Sequence, residues 1–137
     1  RRVMAVSLDG FFHVARPLLL PMMGTRTGRI VAMSSVSAIM GNRGQVNYAA
    51  AKAGLIGAVR ALSLECAPRG VTVNAVAPGL IDSPAIAASV PPEVVKQMVP
   101  ARRLGRADEV ADLVAFLCSD RAAYISGQTI SINGGMA

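Results

Sequence analysis

Three short β-favouring runs alternate with longer helical patterns along the 137-residue chain. The runs are residues 29–34, 71–76 and 129–132, which are mainly apolar and are bounded by turn-forming residues. Apolar residues recur at helical spacing over 3–23, 46–67 and 107–118, and a shorter helix is predicted over 92–98 in a loop-rich segment, 80–106. Pro17 and Pro21 should bend the first helix or end it early. The alternation predicts a parallel sheet with right-handed helical crossovers.

Composition supports this class of fold. Hydrophobic residues make up 53% of the chain, and the mean hydropathy is +0.47. No run approaches about eighteen unbroken apolar residues, so no membrane span is predicted. The apolar richness suits strands that helices cover on both faces, as in parallel α/β domains. The length suits one domain, although three strands are few for such a sheet.

The charge balance is basic. Fourteen Lys and Arg residues face eight Asp and Glu, for a net charge of +6. Nucleic-acid binding is disfavoured, because three Phe, two Tyr and no Trp offer few stacking surfaces and no Lys/Arg run exceeds two residues. The basic charge is expected instead to attract an acidic partner or a phosphorylated cofactor.

Cysteine and histidine usage gives no sign of a metal site. Cys66 and Cys118 have neither disulfide-framework nor metal-ligand spacing, and no signal peptide is recognisable, so a reducing cytoplasm is the expected location. His13, the only histidine, has no Cys, Asp or Glu partner at ligand spacing. It is interpreted as a packing or surface residue, and no metal site is predicted.

Tyr48 and Lys52 are four residues apart near the start of the longest helical pattern, so they share one helix face. A phenol is a poor base at neutral pH, but an ammonium one turn away favours the phenolate. Tyr48 could then donate a proton to a carbonyl oxygen or accept one from an alcohol. Alone, this spacing would favour the simpler interpretation, an exposed lysine and a packed tyrosine.

Polar and turn residues follow the first two predicted strands, at the sheet edge where open α/β folds place their ligands. Ser35 follows the first strand, and its hydroxyl can bind a substrate oxygen; Ser34 and Ser37 are interpreted as turn residues. Pro78 and Gly79 follow the second strand, where a rigid turn should leave backbone groups free for a flat amide ligand. The apolar segment 83–100 is typical of a substrate lid.

Three stretches together resemble one family. They are SSVSAIMGNRGQVNYAAAKAGLIGAVRALSLE, VTVNAVAPGLIDSP and YISGQTISINGG. They resemble the short-chain dehydrogenase/reductases and, within them, the β-ketoacyl-acyl-carrier-protein reductases of fatty-acid biosynthesis and related polyketide pathways. The resemblance covers the whole chain, and the motifs are specific in combination.

The resemblance implies an α/β fold, a Rossmann-like doubly wound parallel sheet of which this chain holds the C-terminal portion, about three strands with flanking helices. It implies reduction of a 3-oxoacyl thioester on acyl carrier protein to the 3-hydroxyacyl form, with NADP(H) expected rather than NAD(H). The alternatives are a short-chain reductase for another small carbonyl or alcohol, and a non-catalytic truncated half-domain.

The resemblance also implies roles for the reacting groups. Tyr48 is the general acid and base, Lys52 favours its phenolate and binds the nicotinamide ribose, and Ser35 positions the substrate carbonyl. The family has an Asn on the preceding helix whose backbone anchors a relay water; here that position is Ser7. Serine is shorter and lacks the paired donor and acceptor of an amide, so an impaired relay is expected.

Cofactor binding is implied only in part. Pro78, Gly79 and the backbone of Ile81 are expected to hold the carboxamide, and Ser83 replaces a cofactor-contacting Thr of the family. No glycine-rich GxGxxG or GxxxGxG run occurs in the chain, although the family seats the cofactor pyrophosphate there. Residues 1–137 are therefore interpreted as the C-terminal catalytic half of a single domain without its dinucleotide-binding half, and inactive by themselves.

Two features concern partners. Arg26 and Arg69 match positions where carrier-protein reductases place basic docking residues, although ordinary solvated arginines would look the same. The small-residue face of the long helix (Ala50, Ala53, Gly54 and Gly57) would permit close helix packing, and the resemblance implies a homotetramer. No nucleic acid or membrane partner is expected.

Overall fold

The computed structural model describes all residues 1–137 and contains one three-stranded sheet in the order β1-β2-β3. The strands are β1 (Gly28–Met33), β2 (Val71–Pro78) and β3 (Thr129–Ile132). Both pairings are parallel, with Ala32 opposite Ala75 and Ala75 opposite Thr129. The α/β class and the three parallel strands are confirmed.

The N-terminal helix runs without interruption over Arg2–Thr25. It consists of α1 (Arg2–Met4), a π-helical segment (Ala5–Asp9) and α2 (Gly10–Thr25). The remaining helices are α3 (Ser37–Met40), α4 (Val46–Cys66), α5 (Pro84–Ser89), α6 (Pro92–Met98) and α7 (Ala107–Cys118), with short 3-10 helices at Ala67–Arg69 and Asp120–Ala122.

Pro17 and Pro21 lie inside α2 and do not end it, so the early end that the sequence allowed for the first helix does not occur. Proline removes the N–H that would bond the carbonyl four residues earlier, here those of His13 and Pro17. These residues lie on the exposed side of α2, where solvent can satisfy the two carbonyls. The Thr25 hydroxyl donates to the Pro21 carbonyl at 3.1 Å, which closes the last turn on the same side.

Helices cover both faces of the sheet. On one face, α2 and α4 pack against a core cluster of Ala32, Val59, Cys66, Val71, Val73 and Ala75. On the other, α7 and the 3-10 turn at Asp120–Ala122 pack through Leu117 and Ala122 against Val76. The central strand β2 is buried from Val71 to Ala77. This two-sided burial explains the high hydrophobic content of the chain.

The free edge of β1 lies beside an apolar groove of about 470 Å³, which we call the edge groove. It is lined by β1, the N-terminal helix and the start of α4, through Val6, Ser7, Gly10, Phe11, Val14, Ala15, Leu18, Met22, residues 29–33, Lys52 and Leu55. Several apolar side chains here are exposed, among them Val6 and Val14. The sheet therefore ends on an apolar surface.

One helix, Arg2–Thr25, is long and apolar enough to cross a membrane by length and composition alone, with a mean hydropathy of 1.4. Phe11, Leu19 and Met22 of this helix pack against the sheet core, and other apolar residues line the edge groove. These contacts are those of a helix lying on the face of a sheet.

Candidate active site

The carboxyl ends of β1 and β2 are joined by two backbone hydrogen bonds beyond the regular ladder. The N–H of Ser34 donates to the carbonyl of Val76 at 2.7 Å, and that of Val36 donates to Pro78 at 2.8 Å. Residues 34–36 after β1, which we call the serine loop, and the Pro78–Gly79 turn after β2 therefore lie side by side. This is the edge at which parallel α/β sheets bind ligands.

Tyr48 and Lys52 reach this edge from the first two turns of α4. The Lys52 Nζ lies 5.7 Å from the centroid of the Tyr48 ring and donates to the carbonyl oxygen of Met33 at 2.8 Å. Burial lowers the pKa of Lys52 below its usual value. An ammonium at this distance interacts favourably with the ring and with a phenolate.

Ser35 is half-buried in the serine loop. Its Oγ accepts a hydrogen bond from the N–H of Ser37 at 3.1 Å, and its carbonyl accepts one from Ala38 at 2.9 Å. Two residues after Ser35, where the sequence indicates only turn residues, the chain forms the short helix α3. This turn fixes the Ser35 backbone and leaves its hydroxyl proton available to a ligand.

Ser7 lies within the π-helical segment of the N-terminal helix and lines the edge groove together with Lys52. A π-helical turn is rare and interrupts the regular hydrogen-bond ladder, often at a functional site. The sequence gives no signal for this turn. The structure thus brings Ser7 and Lys52 to one cavity, while no hydrogen bond joins Ser35, Tyr48 and Lys52 directly.

Two backbone groups of the Pro78–Gly79 turn, which the sequence suggested would be free, are used within the fold. The Pro78 carbonyl accepts from Val36, and the Gly79 N–H donates to Ile132 at 2.9 Å. The unpaired backbone lies two residues further on, at Ile81, whose own N–H and carbonyl have no partner. The neighbouring residues hold it, since Asp82 N–H donates to Gly105 and Gly105 N–H to Leu80.

Ser83 lies two residues beyond Ile81 and caps α5. Its Oγ accepts a hydrogen bond from the N–H of Ile86 at 3.3 Å, and its side chain is half-buried. The hydroxyl proton remains available to a ligand while the oxygen caps the helix. The sequence pattern indicated neither this cap nor α5.

An ion-pair cluster supports the segment around Ile81. Arg103 forms a two-point bond to the Glu109 carboxylate at 2.7 and 2.9 Å, and the Arg106 N–H donates to the same carboxylate at 2.8 Å. These bonds lower the pKa of Glu109 to about 2, and the bond from Arg103 contributes most. Ile81, Gly105 and Glu109 line one small cavity of about 200 Å³.

Arg26 and Arg69 lie next to each other, but not at this site. Arg26 ends the N-terminal helix just before β1, and its guanidinium donates to the carbonyl of Pro68 at 3.1 Å, beside Arg69. Both residues therefore lie at the amino end of the sheet. Ser35 follows the opposite end of β1. That end is roughly 20 Å away, because the strand has six residues.

Ser34, which the sequence pattern indicated only as a turn residue, makes a contact in this region that the pattern does not predict. It is 5% exposed, and its Oγ donates to the main-chain carbonyl of Lys52 at 2.8 Å. The two residues are eighteen positions apart, so no local pattern could reveal the contact. No cluster of three or more His, Cys, Asp or Glu side chains that could hold a metal ion occurs in the chain.

Comparison with known proteins identifies the family. A family model described as Enoyl-(Acyl carrier protein) reductase matches residues 1–137. The chain is 51% identical over 136 residues to the 3-oxoacyl-[acyl-carrier-protein] reductase FabG of Aggregatibacter actinomycetemcomitans and 48% identical to that of Escherichia coli. It is 46% identical over 138 residues to Nodulation protein G of a Rhizobium species. Each match covers 98% of this chain and 56% of the relative.

The chain therefore belongs to the short-chain dehydrogenase/reductase family, whose members are NAD(P)-dependent oxidoreductases. Within that family it is similar to the 3-oxoacyl-[acyl-carrier-protein] reductases over nearly all its residues. It spans a little over half the length of these relatives.

Proposed function

We propose that this protein reduces the ketone of a 3-oxoacyl thioester, carried on acyl carrier protein, to the 3-hydroxyacyl form. The observation that carries the proposal is the position of the Lys52 ammonium 5.7 Å from the Tyr48 ring, at the same sheet edge as Ser35. Nearly 50% identity to relatives named as 3-oxoacyl-[acyl-carrier-protein] reductases supports the choice of substrate.

Each side chain has a separate task in this reaction. Tyr48 donates its phenol proton to the substrate carbonyl oxygen, and the nearby Lys52 ammonium stabilises the phenolate that remains. The Ser35 hydroxyl donates to the same carbonyl oxygen and orients the ketone. A reduced nicotinamide, when bound, supplies the hydride to the carbonyl carbon.

The residues present fit the nicotinamide end of such a cofactor. The free N–H and carbonyl of Ile81 match the carboxamide, which needs one acceptor and one donor. Pro78 and Gly79 shape the turn that leads to Ile81, Ser83 offers a hydroxyl, and the Lys52 ammonium can bind ribose hydroxyls. NADP(H) is favoured over NAD(H) by the similarity to the reductases and by the net charge of +6.

Residues 1–137 offer no recognisable site for the pyrophosphate of the cofactor, because no glycine-rich turn leads from a strand into a helix. We propose that these residues form the C-terminal half of the domain and that a glycine-rich βαβ unit completes it along the free edge of β1. The apolar edge groove beside that edge and the 56% coverage of the relatives support this arrangement. Ser7, which lines this groove with Lys52, would then belong to a proton relay.

Carrier-protein docking through Arg26 and Arg69 belongs to the same proposal. Because these residues lie at the amino end of the sheet, docking there requires a long flexible substrate arm or the site of an adjacent subunit. A homotetramer, as the small-residue face of α4 suggests, would provide adjacent subunits. A cytoplasmic enzyme is consistent with two unpaired cysteines.

A direct assay tests this function. The protein as its gene encodes it is incubated with NADPH or NADH and a panel of substrates: 3-oxoacyl thioesters, matching 2-enoyl thioesters and small ketones. We expect oxidation of NADPH with 3-oxoacyl thioesters only. Activity restricted to enoyl thioesters or to unrelated ketones would replace the proposed substrate, and no turnover with any of them would favour a non-catalytic half-domain.

A further inference from the structure

Ser34 is held between the two elements that carry the candidate catalytic groups. Its N–H donates to Val76 of β2 at 2.7 Å, and its side chain, on a residue only 5% exposed, donates to the carbonyl of Lys52 in α4 at 2.8 Å. Ser35 is the next residue in the chain. One side-chain hydrogen bond therefore links the serine loop directly to the Tyr48/Lys52 helix.

The same lysine is held from a second direction, since its Nζ donates to the carbonyl of Met33 at 2.8 Å. The two contacts differ in kind. An ammonium has three donors and can exchange or add partners when a ligand arrives, whereas the Ser34 hydroxyl is buried against a fixed backbone atom. The Ser34 contact is thus the permanent one, and it fixes the helix turn from which the Lys52 side chain starts.

We propose that Ser34 is a positioning residue that sets the depth of Lys52, and with it Tyr48, relative to Ser35. This inference rests on the proposed function, because those three residues are its reacting groups. Small displacements of well-placed catalytic groups lower rates far more than they lower stability. Ser34 therefore acts on turnover through Lys52 without touching the substrate.

Ser63 provides a matched control on the same helix. It is 6% exposed, and its Oγ donates to a main-chain carbonyl of α4, that of Arg60, at 2.7 Å. Burial, chemistry and bond length match those of Ser34, but the contact is local and lies more than two turns beyond Lys52. Loss of either hydroxyl should lower stability by a similar small amount.

The experiment compares Ser34→Ala, Ser34→Thr and Ser63→Ala in the protein as its gene encodes it. Ser34→Ala should lower kcat for a 3-oxoacyl thioester by roughly ten- to a hundredfold with little change in KM, since it is the reacting groups that are displaced. In the reverse reaction, oxidation of the 3-hydroxyacyl thioester, the rate rises with pH, and the midpoint of that rise should move upward in Ser34→Ala. The reason is that a displaced ammonium stabilises the phenolate less. Ser34→Thr keeps the hydroxyl and should restore most of kcat.

Ser63→Ala should leave kcat and the pH midpoint unchanged. Equal losses of kcat in Ser34→Ala and Ser63→Ala, or an unchanged pH midpoint in Ser34→Ala, would overturn the positioning role. Equal losses in Ser34→Ala and Ser34→Thr would assign the effect to side-chain volume and would also overturn it.

A second readout does not depend on turnover. The chain has two lysines, Lys52 and the exposed Lys96, so acylation by a small reagent can be followed at each by mass spectrometry. Ser34→Ala should label Lys52 faster than the wild type does, relative to Lys96, and Ser63→Ala should not. If the wild-type protein turns over no substrate, the proposed function fails. The labelling rate of Lys52 then decides by itself whether Ser34 positions Lys52, and equal rates in Ser34→Ala and the wild type would contradict the inference.

Discussion

Gly79 lies so close to Asn133 that a Cβ at position 79 would stand 2.8 Å from the Cα of Asn133 and 2.7 Å from its Cβ. Real Cβ atoms do not approach a backbone this closely, so the turn after β2 and the segment after β3 can pack together only with glycine at this position. The Gly79 N–H donates to Ile132 across the same contact. The turn that leads to Ile81 therefore depends on this approach.

Gly79→Ala should consequently displace the turn and the Ile81 backbone. We expect a loss of about 1–3 kcal/mol in the free energy of unfolding, as for other overpacked sites, together with weaker cofactor binding. Chemical denaturation and a cofactor titration measure the two effects. Gly24→Ala is the control, because nothing lies within 4 Å of a Cβ there. It should leave cofactor binding unchanged and should not lower the free energy of unfolding, since alanine favours the helix in which Gly24 lies. Equal losses at the two glycines would contradict the close-contact explanation.

Tyr48→Phe removes the proton donor and leaves the aromatic ring in place. We expect turnover to fall by roughly 10²- to 10⁴-fold, the usual contribution of a general acid, with a Tm close to that of the wild type. The chain has one other tyrosine, Tyr124, which is fully exposed. Tyr124→Phe should keep full activity, and a Tyr48→Phe protein with wild-type kcat would exclude Tyr48 as the acid.

Glu109 gives a pH-dependent contribution to stability. Its pKa in the folded protein is about 2, against an ordinary value of 4.5, because Arg103 and the Arg106 N–H bind the carboxylate. A lowered pKa means that the folded state favours the ionised form. The stabilisation is therefore complete above about pH 4.5 and is lost as the pH falls through about 2.

Denaturation of the wild type and Glu109→Gln over this range tests the contribution. The difference in unfolding free energy between the wild type and Glu109→Gln should be constant near neutral pH and should shrink toward zero as the pH falls to about 2. Glu93→Gln is the control, since Glu93 pairs with Lys96 on the surface at 3.2 Å and exposed pairs of this kind contribute little. A Glu109→Gln difference that does not vary with pH would show that the ion pair is not its cause.

The two cysteines should differ in reactivity. Cys66 is fully buried in the core cluster, and burial, with Glu65 nearby, raises the pKa of its thiol. Cys118 is exposed at the end of α7. A thiol reagent should therefore modify one cysteine in the native protein and both after unfolding; rapid modification of Cys66 in the native protein would contradict the packing of β2 against α4.

Short apolar runs bounded by turn residues, together with apolar patterns of period 3.6, were sufficient to predict the sheet and its main helices. Strands β1–β3, α4 and α7 were predicted within two residues at each end because their apolar positions face a core. The same periodicity put Tyr48 and Lys52 on one face of α4. Pro17 and Pro21 allowed an early helix end that does not occur, because proline in a helix is tolerated where the freed carbonyls face solvent.

The remaining features depend on contacts that are distant in sequence. The bond from Ser34 to Lys52 and the burial of the Gly79 N–H against β3 exist only once three elements are packed together. Helix α3 has four residues and the π-helical turn around Ser7 has five, too few for a periodic pattern to emerge. Sequence reasoning therefore located the candidate site and missed the bonds that hold it.

The proposed reduction of a 3-oxoacyl thioester is tested most directly by following a labelled hydrogen. The protein as its gene encodes it is incubated with NADPH deuterated at the transferred position and an equal mixture of a 3-oxoacyl and a 2-enoyl thioester, and the products are analysed by mass spectrometry. The proposed reaction gives a 3-hydroxyacyl thioester with one deuterium on C3 and leaves the enoyl thioester unreacted. A deuterated saturated acyl thioester, with the 3-oxoacyl thioester unchanged, would contradict it.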